Sequence, residues 1–315
     1  MHQPDHNIHV SVVCRTNYYE GTTNGFAMDT INWGTYTFRP HRVFASVEDA
    51  SKAGITWNHV VLTTKVLPEI YDLGELVRPA VTEGVTAVYL FQNGVGIEES
   101  VWKASPRGVE IFSCVLYIGV SQKAAGQIHH AGLKIVEIGP YTGPNQPPAP
   151  TPPPLTQTAT LTSFIDLCTR GGLDAKIHPD IQMARWMKSL WNASFGMVGL
   201  LSGCTDSGDI LDDPDASKLV RKLMLETKVT AKAVLGRDFP SEWEGVEGLF
   251  AKTAGLGHYK ASILLDWEEG KPTELEVLLG NIVRMARRVG AEVPLLESVY
   301  AMLKLADKKR RKQNK

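Results

Sequence analysis

Asn93 lies in the run Gln92-Asn93-Gly94-Val95-Gly96, directly after an apolar stretch, residues 86–91 (TAVYLF), that reads as a strand. An asparagine offers both a donor and an acceptor, and the glycines beside it let backbone approach a ligand closely. Lys65 follows a second such stretch, residues 60–64 (VVLTT), and Arg15 follows a third, residues 8–14 (IHVSVVC). Ligands of open α/β sheets bind beyond the carboxyl ends of the strands, which would put Lys65 and Asn93 in one crevice. A cation such as Arg15, at the end of the second strand of a dinucleotide fold, selects a phosphorylated ribose. The segment Arg185-Trp186-Met187-Lys188-Ser189-Leu190-Trp191-Asn192 places Lys188 and Asn192 four apart, on one face of an expected helix. Tryptophans around Lys188 would desolvate its ammonium and lower its pKa, which suits a proton donor. A last group holds Ser262, Asp266 and Glu274. Glu274 opens an expected helix, where the dipole favours a carboxylate whatever else it does.

These groups need elements to carry them. The runs at 8–14, 60–64 and 86–91 are nearly continuous in apolar residues, as in strands covered on both faces. Residues 67–81 carry apolar side chains at helical spacing, and 110–120 and 133–138 read as further strands. That alternation predicts a parallel α/β sheet. Residues 140–154 then hold 8 prolines in 15 positions and read as an extended surface insertion. The rest is helical in pattern, at 181–200, 214–235, 241–250, 262–269, 273–289 and 295–305. In the span 273–289, Leu275, Leu278, Leu279, Ile282, Val283 and Ala286 share one face, with Gly290 as the stop. The expected organisation is a sheet domain over 1–178 with the proline-rich insertion at 140–157, a helical domain over 179–306, and a frayed basic tail over 307–315.

Composition narrows the function classes. The 315 residues carry 33 Lys+Arg against 34 Asp+Glu and are 43% hydrophobic, a balance with core material and no basic field for nucleic acid. No apolar run approaches the roughly 20 residues of a membrane span, and the first residues lack the pattern of a secretory signal. Four scattered cysteines without C-x-x-C spacing fit a reducing compartment, so a cytoplasmic protein is expected. His2, His6 and His9 are close in sequence, but no metal site is expected. His129-His130 reads as part of a turn. No H-E-x-x-H, G-x-S-x-G or P-loop occurs.

The ordered set Lys65, Gln92-Asn93-Gly94-x-Gly96, Lys188-x-x-x-Asn192, Ser262-x-x-x-Asp266 and Thr273-Glu274 resembles the ketopantoate reductase family (2-dehydropantoate 2-reductase). Residues 115–119 (VLYIG), 129–132 (HHAG) and 290–294 support it, and the resemblance runs from Ile8 to about Lys304. It implies a Rossmann-type N-terminal domain holding NADPH and an all-α C-terminal domain closing over a small keto acid, with homodimerisation as a further expectation. The implied reaction is reduction of 2-dehydropantoate to pantoate, on the way to pantothenate and coenzyme A. Lys188 matches the family's catalytic proton donor and Glu274 its acidic residue, which also touches the cofactor. Asn192, Ser262 and Asn93 match the substrate side, and Lys65, Asn93 and Arg15 the cofactor side.

The chain departs from the family pattern in three places. It contains no G-x-G-x-x-G, so residues 8–14 match the second strand and the first strand, its phosphate-binding loop and its helix have no counterpart. The expected consequence is an open sheet edge that a partner strand could close. Gly196 and Tyr259 stand where the family has asparagines, which admits another 2-keto or β-keto substrate. A non-catalytic homologue that lost the cofactor is the remaining alternative.

Overall fold

Short β-branched runs become the strands of the sheet half. The computed structural model describes residues 8–144 and 159–313. Its first half runs β1 (Ser11–Val13), α1 (Tyr18–Thr23), β2 (Phe26–Thr30), β3 (Gly34–Phe38), β4 (Arg42–Phe44), α2 (Val47–Ser51), β5 (His59–Leu62), α3 (Leu73–Val77), β6 (Ala87–Leu90), α4 (Glu98–Ala104), β7 (Glu110–Ala124) and β8 (Gln127–Pro140). After it come α5 (Ala159–Arg170) and β9 (Asp174–Ile177). Seven strands form one sheet in the order β3-β2-β8-β7-β6-β5, with β9 added beside β8. β5, β6 and β7 are parallel, with His59 opposite Ala87 and Ala87 opposite Glu110. β7 and β8 are antiparallel, so the sheet is mixed rather than purely parallel.

β1 and β4 pair with each other in a separate two-stranded parallel sheet. β5 ends the main sheet, and no strand among the described residues bridges β5 to β1. Val13 on β1 and Val61 on β5 are both exposed, an unusual state for valines in strands of a covered sheet. The gap falls where the family resemblance leaves its first strand without a counterpart.

The helical half runs α6 (Ile181–Asn192), α7 (Phe195–Leu201), α8 (Ser207–Asp212), α9 (Pro214–Leu235), α10 (Gly245–Ala254), α11 (Ser262–Glu268), α12 (Asn281–Val289) and α13 (Pro294–Gln313). α9 shows why local sequence can fix both ends of a helix. The Asp213 side chain accepts from Ala216 N, Pro214 takes the first position, and Gly236 closes the helix at φ 66°. One apolar core joins the two halves. It runs from Leu62, Leu90 and Val101 through Leu190 and Met197 to Leu223, Leu279 and Ile282. The other face of the sheet is covered by α5, where Phe164 stacks on Tyr89 with centroids 3.7 Å apart.

Several expected elements change. Residues 67–81 shrink to α3 and a 3-10 turn at Arg78–Ala80, because 67–71 folds as a turn around Pro68. The span 181–200 breaks at Ala193-Ser194 into α6 and α7, where the Ser194 hydroxyl donates to Leu190 O. The helix expected over 273–289 begins with a π-turn at Glu276–Gly280. His129 and His130 lie within β8 rather than in a turn. A register shift follows them, and Gly132 has φ +96° there. The β2–β3 hairpin was not legible as strands in the sequence. Most of the proline-rich segment, 145–158, lies outside the described residues.

The basic tail also differs from its expectation. α13 continues through Gln313. Arg310 donates to Lys271 O at 2.7 Å and to Asp307 at 2.9 Å, and stacks 4.5 Å from the Trp267 ring. Arg311 pairs with Glu69 at 2.5 Å, tying the helix end to the sheet half. Charge complementarity across the seam replaces fraying. Arg310→Ala should destabilise the protein by about 0.5–2 kcal/mol, since it removes the hydrogen bond to Lys271 O and strips the Trp267 face. A fall in the urea midpoint without a change in the slope would show it, and an unmoved midpoint would contradict it.

Candidate active site

β5 and β6 stop at Leu62 and Leu90, and the chain beyond them delivers Lys65 and the Gln92–Gly94 loop to the same end of the sheet. β7 outruns β6, whose last pair is Leu90 with Ser113. Beyond Ser113 no strand among the described residues covers that edge of β7, and α6 lies over it. Arg185 donates to Cys114 O at 3.1 Å, and the Lys188 ammonium donates to Leu116 O. Two basic residues a helical turn apart thus serve alternate carbonyls of one strand.

A cleft results, lined by Gln92, Asn93, Gly94, Cys114, Val115, Arg185, Lys188, Ser189 and Asn192. The structure therefore brings Asn93, Lys188 and Asn192 together from opposite halves of the chain. The carboxamides of Asn93 and Asn192 make no hydrogen bond among the described residues, so both are available to a ligand. Burial of Lys188 lowers its pKa to about 8, with the Arg185 charge adding to the effect and Glu274 opposing it. No carboxylate is in ion-pair contact with Lys188 among the described residues.

Lys65 is treated in the opposite way. It contacts Asp266 at 2.6 Å and Glu274 at 3.5 Å. Burial pulls its pKa down, but the two carboxylates outweigh that and hold it above the usual lysine value. Glu274 is buried, which pushes its pKa up, with Lys65 and the Val66 N–H offsetting part of the rise. That N–H donates to Glu274 Oε1 at 2.9 Å. The direct partners of Glu274 are Lys65 and Val66, and it reaches Lys188 only through its field.

The remaining expected residues sit around this seam. Ser262 is exposed at the start of α11, one turn before Asp266. Arg15 is exposed just past β1, on the separate two-stranded sheet, with no ion pair among the described residues. The Tyr71 hydroxyl donates to Lys65 O, and the Arg15 charge reaches that tyrosine. Gly94 needs to be glycine. Its φ is +102°, and an added Cβ would stand 2.8 Å from Val277 O in the π-turn. Asn281 Nδ2 donates to Val95 O at 2.7 Å, so the Asn93 loop is seated on the helical half. Tyr259 packs edge-on against Trp191, with centroids 5.7 Å apart, and Gly196 is buried against Ile263. A Cβ at 196 would stand 3.2 Å from Ile263 Cγ2, so that side chain would have to give slightly.

Comparison with known proteins bears on the family and the fold. The family model for ketopantoate reductase PanE/ApbA matches residues 1–143, and the model for its C-terminal part matches residues 180–307. The crystal structure of 2-dehydropantoate 2-reductase from Methylococcus capsulatus is 34% identical with a TM-score of 0.82. The match covers 96% of this chain and 90% of that one. The chain belongs to the ketopantoate reductase family. A 2-dehydropantoate 2-reductase from a Nostoc species is 27% identical over 257 residues, 81% of this chain and 72% of that protein. A D-mandelate dehydrogenase, solved with NADH and anilino(oxo)acetate, shares the fold at 16% identity and a TM-score of 0.74, covering 95% of this chain and 90% of its own. The family thus fixes an oxidoreductase architecture, with a mixed α/β N-terminal half and a helical C-terminal half.

Two charged residues at the site were not singled out from sequence. Arg185 stands three before Lys188, where helical spacing alone leaves it ambiguous between solvent and core. Glu98 follows the glycine run at the start of α4, where a carboxylate reads as a helix-dipole feature. The opposed pKa shifts are testable. Glu274→Gln removes the charge that raises the Lys188 pKa and should lower the midpoint at which Lys188 loses its proton. Carbon-13 NMR of reductively dimethylated protein reads that midpoint, and an unchanged value would refute the coupling.

Proposed function

We propose that this chain is an NADPH-dependent reductase of a small 2-keto acid, with 2-dehydropantoate as the first substrate to test. The observation that carries the reading is the pairing of Lys188 with Asn93 and Asn192 in one cleft at the carboxyl end of the sheet. Hydride addition to a ketone builds negative charge on oxygen, and an ammonium held in a dry cleft stabilises that charge and then gives up its proton. A pKa near 8 lets Lys188 be protonated at neutral pH and still release the proton readily.

The residues at the seam fit the ring half of a nicotinamide cofactor. The Gln92 side-chain oxygen is buried there without a partner among the described residues, an open acceptor for a carboxamide. Lys65 and Arg15 supply cations for ribose and phosphate groups. The described residues hold no glycine-rich loop for the diphosphate. When bound, the reduced nicotinamide supplies the hydride that adds to the keto carbon. Lys188 holds the developing oxyanion and protonates it, giving a 2-hydroxy acid. Asn93, Asn192 and Ser262 orient the polar groups of the substrate. Glu274 keeps Lys65 charged and its own carboxylate off Lys188, whose ammonium is held by the carbonyl of Leu116 rather than by an acid.

Another 2-keto or β-keto substrate is the second reading. Gly196 and the Trp191–Tyr259 contact favour it, because they replace amide side chains with backbone and an aromatic wall. A substrate panel on the full chain separates the two.

Turnover should be followed as NADPH oxidation with 2-dehydropantoate. Lys188→Ala should lower kcat by about 10²–10⁴. In the unaltered protein kcat should fall as pH rises through about 8, because the acid form of Lys188 is then lost. Lys188→Ala with unaltered turnover would overturn the assignment of the proton donor. Arg15→Ala should raise the KM for NADPH while leaving that for NADH unchanged, and an equal effect on both would remove Arg15 from the 2′-phosphate.

A further inference from the structure

Arg185 is 3% exposed in its side chain, and Glu98, its ion-pair partner, is 0% exposed. Every Arg185 nitrogen is engaged. Nη1 donates to Gln92 O at 2.8 Å and to Gly94 O at 2.9 Å. Nη2 donates to Cys114 O and Nε to Ser113 Oγ at 2.9 Å, and Nε lies 3.0 Å from Glu98 Oε1 in the ion pair. Glu98 Oε1 also accepts from Ser113 Oγ at 2.7 Å and from Gln182 Nε2 at 3.0 Å. One guanidinium therefore holds the carbonyls of the residues before and after Asn93, on the helix that carries Lys188.

A buried ion pair is a poor way to gain stability, since taking both charges from water costs several kcal/mol and apolar packing often does as well. Its geometry here is aimed at the cleft instead. We infer that Arg185 is a positioning residue of the reductive site: clamped by Glu98, it fixes the Asn93 loop relative to α6 and places a fixed positive charge beside Lys188. The inference deepens the reductase reading and rests on it for the effect on turnover.

A planar five-donor fork suits this task and a lysine does not, because only the fork can reach two loop carbonyls and a strand carbonyl at once. The groups facing Lys188 from the packed elements are Arg185 on α6, Glu274 before the π-turn, and Cys114 and Tyr117 on β7. Arg185 is the one fixed cation among them. It acts on Lys188 in the sense opposite to Glu274.

Geometry and charge separate experimentally on the full chain. Arg185→Lys keeps the charge and loses the fork. It should raise the KM for the keto acid about tenfold or more, with a smaller loss of kcat and an unmoved Lys188 midpoint by dimethyl-lysine NMR. The double variant Arg185→Met with Glu98→Leu removes both charges without leaving either unpaired, and should raise the Lys188 midpoint. Should Arg185→Lys fail to fold, Ser113→Ala breaks one contact to each partner and should raise KM by a few-fold. An unaltered KM in the variant that folds, or a Lys188 midpoint unmoved in the double variant, overturns the inference. Wild-type protein that reduces no keto acid, with the midpoint still rising in the double variant, sinks the reductase reading and leaves the Arg185 charge acting on Lys188.

Discussion

Two ammonium groups meet at the seam between the sheet half and the helical half, and the structure treats them in opposite ways. Lys65 has two carboxylates against it and is held charged. Lys188 is taken from water with an arginine on its own helix and no carboxylate in contact among the described residues, so its proton is loosely held. Burial disfavours the charged form of both, and the difference lies in where the acids are placed. A lysine ion-paired as Lys65 is would be a poor acid, because its proton is held tightly, and one left in water would be a weak electrostatic partner for an oxyanion. The site depends on keeping Asp266 and Glu274 on one ammonium and off the other.

That distribution requires the two halves to be locked in register. The shared apolar core supplies the bulk of the attachment. Polar contacts then set the fine placement. Glu274 accepts from the Val66 N–H, Asn281 donates to Val95 O, and Gly94 lets the loop backbone come against Val277. The end of α13 adds Arg311 on Glu69 from the far side of the same seam. Each joins a loop after a strand to a helical segment more than 150 positions away in sequence. The carboxyl edge of the sheet is thus built jointly by both halves.

The sheet is less uniform than its central strands. β5, β6 and β7 form a parallel block, well covered by α5 on one face and by the helical half on the other. β1 and β4 stand apart as a two-stranded unit, and Arg15 goes with them. The reacting end of the proposed site is consequently at the well-covered block of the fold. The end that would meet the ribose phosphate is on the separate sheet.

Sequence alone determined much of the list of parts. The apolar runs gave β5 and β6 within a residue or two, because continuous burial on both faces leaves a local pattern. The helical pattern over 214–235 matched α9 at both ends, where the Asp213 cap, Pro214 and Gly236 are contacts between near neighbours. The spacing of Lys188 and Asn192 on one helix face was legible for the same reason. Tertiary structure alone decided which groups touch. Glu274 on Lys65 rather than Lys188, the Arg185–Glu98 clamp and the ordered basic end of α13 are all contacts between residues remote in sequence. Periodicity records which way a side chain faces relative to its own element. The partner it meets there depends on how the elements pack, and so does the direction in which its proton affinity moves.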